Sequence, residues 1–249
     1  MVKIARVVDV IRDAGTGNFD AKLVKLSFQD KRHEVTAYAK ELNDTMILVE
    51  LLAALIGQEL GLPIPEPIIA ISGDGKALFA SLDVKIPDFT TRLTLKGGGL
   101  SVDENKGVLQ KLAHWTLTNK VIGFDEWIAN GDRNTGNILY DGKDTFYLID
   151  HNLAMNANSS INPVLNKLLA IKLKIDVDDI SRQKIKNEIT LMQSGVPRTL
   201  AQEVADKLVA EHPQLDSKMI QSMVDFLDLR LNHLANNANS KIQTKQVSL

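Results

Sequence analysis

Apolar and polar positions alternate through the first forty residues. Val2 to Val10, Leu23 to Phe28 and Glu34 to Ala39 each show the two-residue period of a half-buried strand, separated by turn-forming stretches at Asp13 to Asn18 and Gln29 to Lys31. The period then changes. Leu48, Leu51, Leu52, Leu55 and Ile56 recur at helical spacing, which predicts a helix over Met46 to Leu60 with Glu50 as the polar residue inside it. Gly61 to Pro67, with three prolines, ends that helix and favours an extended path. Ile68 to Ser72 and Ala77 to Val84 read as two further strands around the Ser72 to Gly75 turn. Ile86 to Ser101 reads as a connecting loop. Its Gly97 to Gly99 run lacks the following Lys and Ser/Thr of a P-loop.

Beyond residue 100 helical spacing prevails. Asp103 to Gly123 predicts one helix, capped near Ser101 or Asp103. Ile138 to Tyr140, the pair Asp141-Gly142 and Phe146 to Ile149 predict a short β-hairpin. Leu165 to Ile175, Ile180 to Met192, Thr199 to Glu211 and Ser217 to Asn236 predict four more helices, with Asp176 to Asp179 suited to capping the second. Strands, one helix, strands and then many helices give an α+β chain with segregated layers.

Composition narrows the function classes. A net charge of −2 over 249 residues gives no basic surface for bulk nucleic-acid binding. With no cysteine there is no disulfide, thiolate metal site or thiol nucleophile, which fits a reducing cytoplasm. The most apolar stretch, Met46 to Ile56, carries Glu50 and is too short to span a bilayer, and Met1 to Asp9 lacks the apolar core of a signal peptide. A cytoplasmic location is expected.

The candidate chemistry lies between Trp127 and Met155. The loop Asn130-Gly-Asp-Arg-Asn-Thr-Gly-Asn137 is rich in turn formers, and the predicted hairpin would return Asp150 to the side of Asn137. Phosphoryl transfer needs positioned charge more than covalent help from the protein. One carboxylate orients and deprotonates the acceptor hydroxyl, and a divalent ion holds the phosphates. Mg²⁺ keeps several waters, so one Asp and one Asn suffice as its protein ligands. Asp132 fits the first role, and Asn137 with Asp150 the second. Arg133 fits either a phosphate or a neighbouring carboxylate. His114 shows no partner in the sequence. Ser159 and Ser160 fit a polar surface loop or a phosphorylation site.

The D-x-x-x-x-N spacing from Asp132 to Asn137 matches the catalytic loop of protein kinases. The wording A-N-G-D-R-N-x-x-N-I-L followed by L-I-D-H resembles the HipA-like kinases, relatives of the phosphatidylinositol 3- and 4-kinase group. So does V-E-L-L-A-A-L-I-G-Q-E-L-G-L-P-I-P-E-P, although Val49 stands where that family has Asn. Asn130-Gly131 occupy the place of the protein-kinase His-Arg, and His151 that of the Phe in the metal motif.

This resemblance implies a bilobed protein-kinase-like fold. An antiparallel-sheet N-lobe would span residues 1–85, and a mainly helical C-lobe residues 86–249. It implies ATP and Mg²⁺ as cofactors, with Lys40 on the nucleotide phosphates, steadied by Glu50; Lys25 is a rival for the role of Lys40. Gly15 and Gly17 fit a phosphate-covering loop or a plain hairpin turn. Backbone groups from Ser81 to Val84 take the place of the adenine-binding connection. The implied reaction is Ser/Thr phosphorylation of a protein substrate, with an antitoxin or regulatory partner where the kinase is the toxin of a pair. A lipid or small-molecule kinase, and a nucleotide-binding module without catalysis, are the alternatives.

Overall fold

The computed structural model describes residues 2–14, 20–29, 34–87, 102–156, 159 and 161–243. Five strands come from the N-terminal part: β1 (Lys3–Asp13), β2 (Ala21–Ser27), β3 (Val35–Lys40), β4 (Pro67–Ile71) and β5 (Ala77–Leu82). They close into a barrel in the order β1-β2-β3-β5-β4. The expected all-antiparallel sheet is therefore corrected at one seam, where β1 runs parallel to β4 with Lys3 opposite Ile68 and Arg6 opposite Ile71. Register shifts between Val7 and Asp9 and between Val10 and Arg12 let β1 curl, because a bulge bends a strand and adds twist. The barrel is narrow, and Ala5, Ala37, Ala39, Ala70 and Ala80 fill it together with Val24, Leu26, Phe28 and Ile68.

Helix α1 (Asp44–Glu59) lies between β3 and β4 in sequence. Asn43 caps it by accepting from the Met46 N–H at 2.9 Å. Ile47 to Ala54, then Ile56 and Gly57, are all buried, as befits a helix apolar on nearly every side. It touches β4 and β5 on one side and the helical part of the molecule on the other. Gly57 makes that approach possible. A Cβ there would meet Ile64 Cδ1 at 2.3 Å and the Phe124 ring at 3.2 Å.

The single helix expected over Asp103 to Gly123 is two: α2 (Val102–His114) and α3 (Thr118–Trp127). The break has a local cause. The Thr118 hydroxyl takes the Leu112 carbonyl at 2.5 Å, and the Thr118 N–H takes the Trp115 carbonyl at 2.9 Å. The hairpin forms as expected, β6 (Ile138–Tyr140) against β7 (Phe146–Leu148), with Ile138 opposite Leu148. Three-residue strands are marginal alone. Here Leu148 N–H bonds the Pro63 carbonyl at 2.9 Å and Tyr140 N–H the Pro87 carbonyl at 3.0 Å, so both sides of the ribbon are held.

The remaining helices are α4 (Lys167–Ile175), α5 (Asp179–Gly195), α6 (Leu200–Glu211) and α7 (Ser217–Asn239). Asp178 caps α5 through the Ser181 N–H. Asp176 has another task, pairing with Lys172 at 2.7 Å and with His114 at 3.2 Å, which gives His114 the partner the sequence did not reveal. One apolar core joins α1, α2, α3, the hairpin and α4 to α7. Trp127 is buried in it and donates its ring N–H to the Leu227 carbonyl. Among the described residues no helix is long and apolar enough to cross a membrane.

Candidate active site

The loop after α3 is built on a buried ion pair. Asp125, in the last turns of α3, and Arg133 are both withdrawn from solvent, with side-chain exposures of 0%. Arg133 Nε lies 3.3 and 3.2 Å from the two Asp125 oxygens, and its Nη2 lies 3.1 Å from Oδ1. Its Nη1 donates to the Asn137 carbonyl at 3.0 Å and to the Ile149 carbonyl at 2.5 Å. One guanidinium therefore ties the end of α3 to the start of β6 and the end of β7. Of the two roles open to Arg133, it takes the carboxylate. Its planar fork suits this, because each of its three nitrogens donates to an oxygen in a fixed direction.

The consequence is the meeting of residues remote in sequence. Ile149 N–H bonds the Asn137 carbonyl at 3.1 Å, so Asn137 stands opposite Ile149, with Asp150 the next residue in the chain, at the open end of the hairpin. Asn137 donates its side-chain amide to the Asp132 carbonyl at 2.8 Å and to Asp132 Oδ2 at 3.4 Å. Asn130 fixes the near side of the loop by accepting from the Asp132 N–H at 3.1 Å while bonding Asp125. Asn134 accepts from the Gly136 N–H at 2.7 Å and starts the short 3₁₀ turn Thr135–Asn137. Backbone angles also mark the place. Ala129, Asp150 and Met155 all hold positive φ, at 55°, 64° and 54°. Such residues persist only where surroundings enforce them.

Each aspartate faces a cation. Lys40 Nζ lies 2.7 Å from Asp150 Oδ1, in a close ion pair not aligned as a hydrogen bond. Lys167 Nζ lies 2.7 Å from Asp132 Oδ1. Strand alternation explains Lys40. Ala37 and Ala39 fill the barrel, so Lys40 points the other way, out toward Asp150. The expected Lys40–Glu50 ion pair is corrected, because Glu50 turns to His151. Its Oε2 accepts the His151 backbone N–H at 3.0 Å and lies 3.3 Å from the ring Nδ1. The His151 ring in turn stands edge-on to Phe124. Lys25 lies on the solvent side near Asp9, so it is no rival to Lys40.

Burial drives the Glu50 carboxyl upward, and the hydrogen bonds and charge of His151, with a smaller contribution from Lys40, overcome this and hold its pKa below the ordinary 4.5. A lowered folded pKa adds stability that is present above about pH 4.5 and lost as the pH falls through the folded value. Glu50→Gln should therefore flatten the acid side of the stability profile. Urea midpoints for both proteins between neutral pH and about pH 3 test this. Parallel falls in parent and variant would remove Glu50 as a source of acid sensitivity.

Ser81 lies in β5 opposite both Tyr38 and Pro67, inside the barrel's hydrogen-bond ladders. Leu82 and Asp83 N–H groups are also bonded, to the Glu66 and Thr36 carbonyls. Val84 follows the strand and is half-buried. Gly15, Gly17 and Ser160 lie outside the described residues. Sequence reasoning missed Asp125 and Lys167. A charged residue on the otherwise apolar face of α3 was a signal for Asp125; Lys167 had none, because its position depends on how α4 docks.

Among the described residues no cluster of three His, Cys, Asp or Glu side chains is arranged to hold a metal. Mg²⁺ carrying phosphate does not need one. Asp150 Oδ1 is buried and accepts no aligned hydrogen bond, with only the Lys40 ammonium against it, and the Asn137 backbone pairs with the neighbouring Ile149, so these residue types fit a hard cation brought in with phosphate oxygens. A groove of about 430 Å³ lies elsewhere, between Gln58, Pro63, Trp115 and Phe146, and none of the site's carboxylates lines it.

Comparison with known proteins shows the fold and the family. No curated protein matches the chain by sequence. The crystal structure of a Helicobacter pylori proinflammatory kinase, CtkA, has a similar fold, with a TM-score of 0.54, 13% identity, and coverage of 97% of this chain and 98% of that one. The family model of the HipA-like kinases matches residues 30–238, a span that contains Lys40, Glu50, the Asp132 loop, Asp150 and Lys167, and the chain belongs to that family.

Proposed function

We propose that the protein is an ATP-dependent kinase that moves the γ-phosphoryl group to a Ser or Thr hydroxyl of a protein substrate. The observation that carries this reading is the convergence of Asp132, Asn137 and Asp150 on one hairpin-and-loop unit, with a lysine at each aspartate. Two lobes, residues 1–85 and 86–249, would enclose the nucleotide, and Ser81 to Val84 would lie along the adenine. Asn137 and Asp150 would hold Mg²⁺, which supplies charge neutralisation on the phosphates when bound. Asp132 orients the acceptor hydroxyl and takes its proton. The new bond joins the acceptor oxygen to the γ-phosphorus. The bond from that phosphorus to the bridging oxygen breaks, and ADP leaves with the electron pair. An antitoxin or regulatory partner is consistent with the family.

Lys40 would exchange Asp150 for phosphate oxygens as nucleotide and metal arrive. Lys40→Met is therefore expected to raise the Kd for Mg²⁺–ATP by about tenfold or more, as loss of a charge-assisted contact would. Calorimetric titration checks this, and an unchanged Kd would remove Lys40 from the nucleotide site. Incubation with ATP labelled in the γ-position and a cell extract tests the acceptor class. Label in protein bands supports the proposal, whereas label confined to lipid or small-molecule fractions overturns its acceptor assignment.

A further inference from the structure

Lys167 is the first residue of α4, and three anchors hold its segment against α3, the helix that leads into the catalytic loop. The Asn166 side chain donates to the Ile122 carbonyl at 3.0 Å and accepts from the Leu169 N–H at 2.9 Å, so it both caps α4 and fixes it to α3. Val164 N–H bonds the buried Glu126 carboxylate at 3.2 Å. Lys241 holds the Val164 carbonyl and reaches Glu126 at 2.6 Å. The Leu165 carbonyl lies 3.8 Å from where a Cβ on Gly131 would stand, so backbone meets backbone beside Asp132.

The Lys167 side chain is half-open to solvent. Lys167 and Asp132 keep side-chain exposures of 37% and 39% while their charged atoms are 2.7 Å apart. The contrast with Arg133 is informative. Arg133 is fully buried, and its donors are engaged by Asp125 and two carbonyls, so it offers nothing to an incoming ligand. An exposed lysine–aspartate pair contributes little to stability. Yet this one is aimed by a rigid, buried support.

We propose that Lys167 is a further catalytic residue. Its ammonium stands between Asp132 and the phosphoryl group in flight, and it stabilises the charge on the equatorial oxygens on the acceptor side while Lys40 serves the nucleotide side. This inference rests on the kinase reading above. The charge of a phosphoryl group in transfer is spread over three oxygens, and donors placed in advance on that charge lower the barrier without reorganising. As the acceptor hydroxyl yields its proton to Asp132, the lysine keeps its own. It changes partner from carboxylate to phosphoryl oxygen, and no other bond is made or broken by it.

The test uses the full chain with Lys167→Met and Lys167→Arg, reading release of labelled phosphate from Mg²⁺–ATP with water as acceptor. Methionine should lower kcat by about 10² to 10³ while KM for ATP stays within about threefold, and arginine should restore kcat to within about tenfold of the parent. A second readout is binding. ADP with aluminium fluoride, a mimic of the phosphoryl group in flight, should bind the parent more tightly than ADP alone. Lys167→Met should lose that gain without losing ADP. If the parent turns ATP over and Lys167→Met does so within threefold, or if the methionine variant keeps the aluminium fluoride gain, the proposal is overturned while the kinase reading stands. If the parent neither turns over nor binds ATP, both fall together.

Discussion

Asp132→Asn is expected to slow phosphoryl transfer by about three orders of magnitude while leaving nucleotide affinity nearly unchanged. The substitution keeps size and shape, so the Asn137 and Lys167 contacts around the side chain have a polar partner of the same reach. What it removes is the negative charge proposed to orient the acceptor hydroxyl and receive its proton. General-base assistance of this kind is worth about 10² to 10⁴ in rate. A factor of 10³ corresponds to about 4 kcal/mol of transition-state stabilisation. Nucleotide binding should survive because Lys40, Asn137 and Asp150 are untouched and the loop is anchored by Arg133, not by Asp132. Single-turnover measurement with labelled ATP, beside a calorimetric Kd, separates the two quantities. Turnover equal to that of the parent would show that Asp132 is not the group that handles the acceptor, and would end the mechanism as stated.

Which parts of this arrangement were legible beforehand follows from the range of the interactions involved. The hairpin was legible because Asp141-Gly142 between short apolar runs is a local signal, and with it came the return of Asp150 to Asn137. α1 was legible because its leucines repeat at helical spacing whatever surrounds them. The carboxylate partner of Lys40 was not. Strand alternation shows that Lys40 leaves the barrel wall, but choosing between Glu50 and Asp150 depends on the docking of α1 on the helical core. There the His151 backbone N–H captures Glu50 first. The parallel β1–β4 seam was hidden for a similar reason, since β4 follows β1 by more than fifty residues and closes the barrel only through the curl of β1. The division of α2 from α3 turned on one hydroxyl reaching back six residues, with neither Gly nor Pro in the break to announce it.

Arg133→Met should be among the most damaging single changes, and its damage should separate into two parts. Methionine fills most of the volume but leaves the Asp125 carboxylate buried without its counter-charge. Breaking a buried ion pair on one side costs about 3 to 5 kcal/mol, against roughly 1 kcal/mol or less for an exposed pair. For a chain of this size each kcal/mol shifts Tm by about 2 to 4 °C, so the expected loss is about 10 °C in a thermal melt. Removing both charges, as in Asp125→Leu with Arg133→Met, should recover most of that loss, since buried pairs are often replaced by apolar side chains at little net cost. Turnover should not recover with it. The guanidinium also holds the Asn137 and Ile149 carbonyls together, and neither leucine nor methionine can donate to them, so the residues expected to carry the metal lose the clamp that holds their backbone segments together. A double variant restored in both Tm and turnover would show that Arg133 acts only on stability. One restored in Tm alone would show that the buried pair is the support on which Asn137 and Asp150 are aligned.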